Sequence, residues 1–558
     1  MTPAGTSPSQ HSNADFDHYM AEAVTNCKQL ARDIKNQLPS RRPLPPGIHQ
    51  TLPAPDLVDD LVRLYFATFE SCYRILHYPT FQRQYEAFTD NPELADSEFI
   101  VKLLLILSAA GALHSDVHIH RALAAKARTW IHVAQTWLSA PLEKNRLSLD
   151  GVQIHCLLLL ARQATRVGAD LVWISAGSLV RMAMQMGLHQ DPSRLVDMDL
   201  LNREMRRRLW YTILEMNVQA ALDSGMSPMV SPEDYNTQLP SNLNDDDLVG
   251  ATDEEGLCKP DSNTTQLSLH RLIAQSLPLR LKATGIINSL QDEPPYEEIV
   301  HVGNELSLAC RDAASFINRQ MSAPSSHWLS PFARSWCEHS LSRFLLCLHY
   351  PYAFKSHVDP LYSYSHTVCL DVAVGLVALL DDEPYHRLLL SGGGMYRDLI
   401  TRAAYVIFLD LNARVAGDKF SPAKRRDRAR REPLLEDARK IVRYTEDRMW
   451  HGETSIKAYV YLSAALARLA ALLDGQPSKE VTIQAASRSV QVCRNILQST
   501  TRDSAGQNPE GSALRSWVYG DIVALPTVAD ADLEVLNMIN LDFDFSDPGQ
   551  TWMEGYQG

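Results

Sequence analysis

The chain has 558 residues, 45% of them hydrophobic and 21% charged, enough apolar material for one large domain or two ordinary ones. Its formal charge of −13 excludes a protein that coats nucleic acid by general attraction, although a local basic patch remains free to touch phosphate. Nine cysteines, none spaced as CxxC, exclude a disulfide scaffold, a ribbon-type zinc site and a thioredoxin-type motif, and the thiols read as reduced.

Residues 1–14 are a Ser/Pro/Thr/Gly stretch with neither a basic nor an apolar leader region, and are expected to be disordered. Over 15–38, Phe16, Met20, Ala23, Cys27, Leu30 and Ile34 recur by four and three, the pattern of one helical seam. At under three heptads it predicts a helix packed on the main body, with a dimerising coiled coil as the alternative. Six prolines between Pro39 and Pro55 then make residues 39–55 an extended linker.

From Asp56 the pattern is helical almost throughout, with segments at 56–69, 98–113, 118–138, 148–165, 171–186 and 200–222, several of them apolar around most of their circumference. The fold class is all-α, a large multi-helix body. Between Glu233 and Asp261 nine carboxylates face one cation, Lys259, so residues 241–266 read as a flexible acidic loop. Helical patterns resume at 267–288, 299–321, 336–349, 365–380, 396–416, 433–450, 455–473 and 481–500, making 267–515 a continuation of the body. The longest uninterrupted apolar runs, Leu103–Ile106 and Cys156–Ala161, fall far short of a membrane span, and no membrane partner is expected. In the last 43 residues, 516–558, there is no Lys or Arg, while eight carboxylates sit among Leu541, Phe543, Phe545, Trp552 and other large apolar side chains.

No catalytic arrangement emerges from these residues. A diphosphate-binding site on helices needs carboxylates at i, i+1 and i+4, but Asp245 and Asp246 are followed by Val249, and Asp381 and Asp382 by Tyr385 and His386. His114, His118 and His120 lack a supporting carboxylate or thiolate and read as ordinary loop histidines. Ser391-Gly-Gly-Gly-Met395 follows no strand and reads as a flexible turn. No enzyme activity, cofactor or metal is expected of these residues. Two basic runs remain. Lys424, Arg425, Arg426, Arg428, Arg430 and Arg431 put six cations in eight residues, as a nuclear-import signal does, or a solvated loop. Arg203, Arg206, Arg207 and Arg208 flank the buried stripe of helix 200–222, where pairing with neighbouring helices is the expectation rather than contact with DNA.

Three stretches together resemble the fungal-specific transcription factor domain, the middle homology region of zinc-cluster regulators: Leu61–Phe81, Ile174–Pro192 and Arg206–Pro240. The resemblance covers residues 56–240 well. It is carried by His77, Pro79 and Phe81, by Gly187-Leu188-His189 at a helix end, and by Arg206-Arg207-Arg208-Leu209-Trp210. It implies a helical regulatory domain in a nuclear transcriptional regulator of fungal metabolic or biosynthetic genes, possible homo- or heterodimers, and coactivators as partners. In the family, DNA is read by six cysteines holding two zinc ions; upstream of Asp56 this chain has one cysteine, Cys27. Zinc is therefore expected only with an upstream cluster, and promoter contact through that segment or a DNA-bound partner. The acidic-aromatic tail supports an activator independently, because carboxylates keep apolar side chains solvated for docking on a coactivator; a final helix packed on the body is the alternative. A helical ligand-binding or scaffold protein outside transcription is the competing reading.

Overall fold

In the computed structural model, residues 11–37, 44–139, 146–194, 198–251, 257–260, 263–290, 294–321, 330–417 and 424–506 are described; among them there are helices and no strands. The tail residues Leu541, Phe543, Phe545 and Trp552, expected as an activation segment, lie outside the described residues.

The first helix, α1 (His11–Gln37), is followed by α2 (Pro55–Ala67), α3 (Phe69–Tyr73), α4 (Tyr78–Asp90), α5 (Ser97–Gly111), α6 (Val117–Ser139), α7 (Leu149–Thr165), α8 (Val172–Gln185) and α9 (Leu200–Asp223). The second half holds α10 (Ser268–Gln275), α11 (Leu277–Ile287), α12 (Tyr296–Met321), α13 (Pro331–Lys355), α14 (Ser363–Ala378), α15 (Glu383–Ser391), α16 (Leu399–Gly417), α17 (Lys424–Trp450), α18 (Lys457–Leu473) and α19 (Ser478–Gly506). One hydrophobic core runs from Ile48 to Leu469 and joins both halves, and a smaller one joins α17, α18 and α19.

Local chemistry sets the helix starts. The Ser148 hydroxyl accepts from Gly151 N to cap α7, Asp199 accepts from Asn202 N to cap α9, and Ser330 accepts from Ala333 N to cap α13, which has Pro331 in its first turn. Pro278 lies in the first turn of α11 and divides the single segment expected at 267–288 into α10 and α11. Helices α5 and α7 are buried on nearly every side, as their apolar circumference predicts.

Four expectations are corrected. The seam of α1 is exposed, with Phe16 61% and Ile34 64% accessible and Cys27 exposed as well, so it does not pack on the body; the proline-rich linker separates it from α2. The turn Gly392–Gly394 is packed, not flexible: Gly393 N donates to Gln163 O at 2.8 Å, and Met395 and Tyr396 after it are buried. Of the two readings of the basic run, the loop is the one corrected: the run opens α17, which passes through Pro433, and Arg431 is buried. The helical stretch Pro360–Asp381 is long and apolar enough to cross a membrane by length and composition. Ser365, His366 and Asp371 interrupt its apolar runs, which hid it from a search for continuous ones. One face, with Cys369, Ala373, Leu376 and Val377, is buried where α14 packs between α13 and α16, while Tyr364 and Val374 are exposed.

Candidate functional site

Most of the family-motif residues, His77, Gly187, His189, Arg206, Arg207, Arg208 and Trp210, gather around the amino-terminal half of α9, whereas Pro79 and Phe81 belong to the packing of α4. That helix is buried from Glu204 to Leu222 although it carries Arg206, Arg207, Arg208, Glu215 and Gln219. A charge removed from water is tolerated only when paired and hydrogen-bonded, so each of these needs a fixed partner.

Arg208, fully buried, donates through Nε to Glu204 at 3.1 Å and through Nη1 to Asp245 at 2.6 Å. Arg74 Nη2 reaches the same Asp245 oxygen at 2.6 Å, and the other oxygen accepts from Tyr78 N at 3.1 Å. His77 Nε2 donates to the Asp245 carbonyl at 3.0 Å, which leaves its Nδ1 to accept from Thr80 at 2.8 Å. Burial opposes ionisation of Asp245, but Arg74 and Arg208 outweigh it and hold the carboxyl well below the usual carboxylate range. The expectation of a flexible acidic loop therefore fails near its start. Asn244 and Asp247 form a capping box around the short 3-10 turn Asp245–Leu248, and Asp245 is buried as the anion of a two-arginine site.

Arg207 binds Asp191 in bidentate fashion, Nε to Oδ2 and Nη2 to Oδ1, each at 3.1 Å. Asp191 also accepts from Ser193 N and Gln238 N; burial raises its pKa, and these bonds together bring it below the ordinary range. Gly187, at φ +75°, ends α8 in the left-handed conformation, with Leu188 N donating to Ala183 O, and so presents the loop that carries Asp191. Arg206 Nη2 donates to Met186 O at 2.5 Å. The buried Trp210 ring meets His189 at 6.2 Å and Tyr235 at 5.7 Å between centroids. Phe81 packs on Phe66 and Phe99, and Pro79 stands in the first turn of α4.

Farther along α9, Arg280 Nη1 donates to Glu215 at 2.9 Å, Gln219 Nε2 donates to Glu215 at 2.8 Å, and Arg343 bridges Gln219 and Asp223, each at 2.9 Å. Glu204, Arg208, Glu215, Gln219 and Asp223 thus form one polar stripe along a buried helix. Of this site the sequence pointed to Arg206, Arg207 and Arg208 and not to Arg74, Arg280 and Arg343 or to the acids Glu204 and Asp191, and it placed Asp245 in an acidic loop. Asp191 stood inside a quoted motif, two residues after His189, and the spacing Glu204–Arg208 is an i, i+4 pair.

Chemically the arrangement positions and locks. Each carboxylate already accepts from a guanidinium, and the arginines at 206–208 face partners inside the fold rather than a nucleic-acid groove. Two cavities, of about 10 and 20 Å³, lie beside α9, each with room for about one water molecule. Among the described residues no three His, Cys, Asp or Glu side chains converge as metal ligands, and all nine cysteines are single thiols, Cys27 on α1 and Cys258 exposed. The six-thiolate zinc cluster implied by the resemblance does not fit them.

The family model for the fungal specific transcription factor domain matches residues 62–301, from α2 into the start of α12. Transcription factor asR3 of Sarocladium schorii is 31% identical over 94% of this chain and 68% of its own length. The chain belongs to the fungal-specific transcription factor family. Transcription factor lepE of Aspergillus flavus is 32% identical over 91% of the chain, and the aspyridones cluster regulator apdR of Emericella nidulans is 28% identical over 75%. The chain spans 62% of lepE and 58% of apdR. No solved structure matches. The family match extends past Pro240, where the resemblance in the sequence ended, and takes in α10 and α11; α11 brings Arg280 to the α9 stripe, while Arg343 of α13 joins it from outside the matched residues.

Proposed function

We propose that this protein is a nuclear activator of the genes of a secondary-metabolite biosynthetic cluster. The helical body regulates, the acidic-aromatic segment 516–558 recruits coactivators, and DNA is reached through a zinc cluster outside these residues or through a DNA-bound partner. The observation that carries the reading is that Arg206, Arg207 and Arg208, the most basic stretch of the family motif, are bonded within the fold. A region whose cations are committed internally suits control rather than promoter reading. Its relatives support the setting, being named transcription factors and, in the case of apdR, a cluster regulator. The run 424–431 supports import into the nucleus, and the tail composition supports activation.

The test is a tagged chromosomal copy combined with deletion. The reading expects nuclear fluorescence, recovery of promoter fragments after cross-linking, and loss of transcripts from a contiguous set of biosynthetic genes. Exclusion from the nucleus with an unchanged transcriptome overturns it in favour of the scaffold reading. Six in-frame cysteines in the genomic DNA before Met1 would assign promoter contact to the same polypeptide; their absence there would assign it to a partner.

A further inference from the structure

Two pairs of histidine rings meet among the described residues. His120, in the first turn of α6, and His451, just after α17, stand with ring centres 5.8 Å apart and planes at 68°. Each ring is fixed through Nδ1. In His120 it meets Gly111 O, at the end of α5, at 3.2 Å, and in His451 it meets Asp447 O at 2.8 Å. A backbone carbonyl only accepts, so Nδ1 carries the proton in both rings and Nε2 keeps its lone pair. Among the described residues neither Nε2 has a hydrogen-bond partner, and both rings are partly open to solvent. Imidazoles that bind metals are held in this way, the far nitrogen donating to a carbonyl and the near one bare. Two imidazoles on one tetrahedral ion, with metal–nitrogen bonds of about 2.0 to 2.1 Å, have ring centres roughly 5 Å apart, so this pair needs less than about 1 Å of closing. His357 and His366, 6.3 Å apart, differ: no backbone carbonyl fixes either ring, and His366 turns Nε2 toward Asp410 at 3.7 Å, a carboxylate that Arg414 also holds.

We infer that His120 and His451 bind one divalent transition-metal ion of the zinc type through their Nε2 atoms, with water in the remaining positions. Imidazole nitrogen suits zinc, nickel and copper, whereas magnesium and calcium require oxygen ligands that this pair does not offer. Two protein ligands make an open, solvent-accessible centre, not a closed structural one. The ion joins α6, inside the family-matched residues 62–301, to the end of α17, outside them, so its occupancy fastens one half of the body to the other. The run His114, His118 and His120 gave no sign of this in sequence, because the second nitrogen comes from a distant helix. This centre is separate from the six-thiolate cluster, and it stands whether or not the transcriptional reading does.

The full chain carrying Cys27→Ser and Cys258→Ser, which removes the exposed thiols as competing ligands, is titrated calorimetrically with zinc and with magnesium, with melting followed in parallel. One saturable zinc per chain and a higher melting temperature are expected, with magnesium at least about tenfold weaker. His120→Gln and His451→Gln are each expected to weaken zinc at least about tenfold, since loss of even an outer partner of a ligand costs about 10- to 100-fold. His114→Gln and His118→Gln are expected to leave zinc binding unchanged. With copper(II) in place of zinc, spin-echo modulation is expected to report two imidazoles in the parent chain and one in either ligand variant, a readout that a merely loosened fold does not mimic. His451→Gln, at a partly exposed position after α17, keeps the test open if His120→Gln does not fold. No saturable zinc, magnesium as tight as zinc, fewer than two imidazoles on copper, or unchanged affinity in His451→Gln overturns the inference. A loss in His114→Gln or His118→Gln equal to that in His120→Gln assigns the metal to the start of α6 alone and overturns the pairing with His451.

Discussion

Arg208 and Asp245, 37 residues apart in sequence, meet at 2.6 Å with both side chains buried. The contact fastens the acidic segment to α9, and Arg74 adds a second link to the end of α3. Removing the shared anion leaves two guanidiniums in a dry site, which costs far more than a surface pair does. Asp245→Ala is expected to destabilise the protein by about 3 to 5 kcal/mol in urea unfolding. The adjacent Asp246 is exposed, and Asp246→Ala is expected within about 0.5 kcal/mol of wild type. Equal effects at the two positions would show that the segment is held by its overall charge rather than by this one carboxylate.

The Gly392–Gly394 turn offers a steric test. A Cβ on Gly393 would stand 2.7 Å from Ala169 Cβ and 3.1 Å from Arg166 Cγ, and the first of these cannot yield without moving backbone. Gly393→Ala is expected to cost about 1 to 3 kcal/mol, measured by thermal and urea unfolding. Gly475, whose built Cβ meets nothing within 4 Å, is at φ +68°, so Gly475→Ala reports the backbone strain alone. A Gly393→Ala cost no greater than that of Gly475→Ala would return the turn to the flexible class.

The all-α body was legible because helical periodicity is local: α5, α7 and α9 declare themselves within single segments. Pairing of Arg207 and Arg208 was legible in kind, since cations beside an apolar stripe need partners. Which acids they take was not. Arg74 meets Asp245 across 171 residues, and the composition of the segment around Asp245, nine carboxylates to one cation, hides the single acid that folds inward. The glycine turn misled for the same reason: its rigidity comes from Gln163 and Ala169, far away in sequence. On α1 the seam was read correctly as a pattern, but a pattern does not say that anything covers it.

Four buried histidines and the half-buried His120 dominate the response to acid. Burial pushes His120, His155 and His349 down to about 4, and His270 and His339 to about 3, from an ordinary value of 6.5. Each is neutral in the folded chain and more easily protonated when unfolded, so its stabilising effect is present above pH 6.5 and is lost as pH falls toward 4 and 3. Glu70 runs the other way: burial lifts it to about 7, and its contribution fades as pH rises from 4.5 through 7. Burial raises Asp223, Glu338 and Asp437 as it does Glu70, and lowers His77, His366 and His386 as it does the five, so the histidines outnumber the carboxyls that oppose them. Stability from urea midpoints is expected to fall steadily from pH 6.5 to pH 4, and His339→Gln is expected to make that slope shallower. A flat profile over this range would contradict the assignment of neutral buried imidazoles.

The tail prediction follows from alternation in Leu541-Asp542-Phe543-Asp544-Phe545, where carboxylates keep the rings available to a partner groove. Residues 516–558 fused to an unrelated DNA-binding domain are expected to activate a reporter, and Phe543→Ala with Phe545→Ala to abolish it. A silent fusion rejects the activation role and leaves the family assignment intact.

The basic opening of α17 separates import from packing. Arg431 is buried, so a variant designed to test import leaves it in place and replaces Lys424, Arg425, Arg426, Arg428 and Arg430 by glutamine. Glutamine keeps helix propensity while removing five positive charges, so unfolding is expected within about 1 kcal/mol of wild type. A fluorescent fusion of this variant is expected to shift from nucleus to cytoplasm, because import receptors read clustered cations. Wild-type nuclear signal in a stably folded variant would assign the run to a solvated helix end. Loss of stability together with the signal would instead place these side chains in the packing of α17, a result that Arg431→Gln alone would then reproduce.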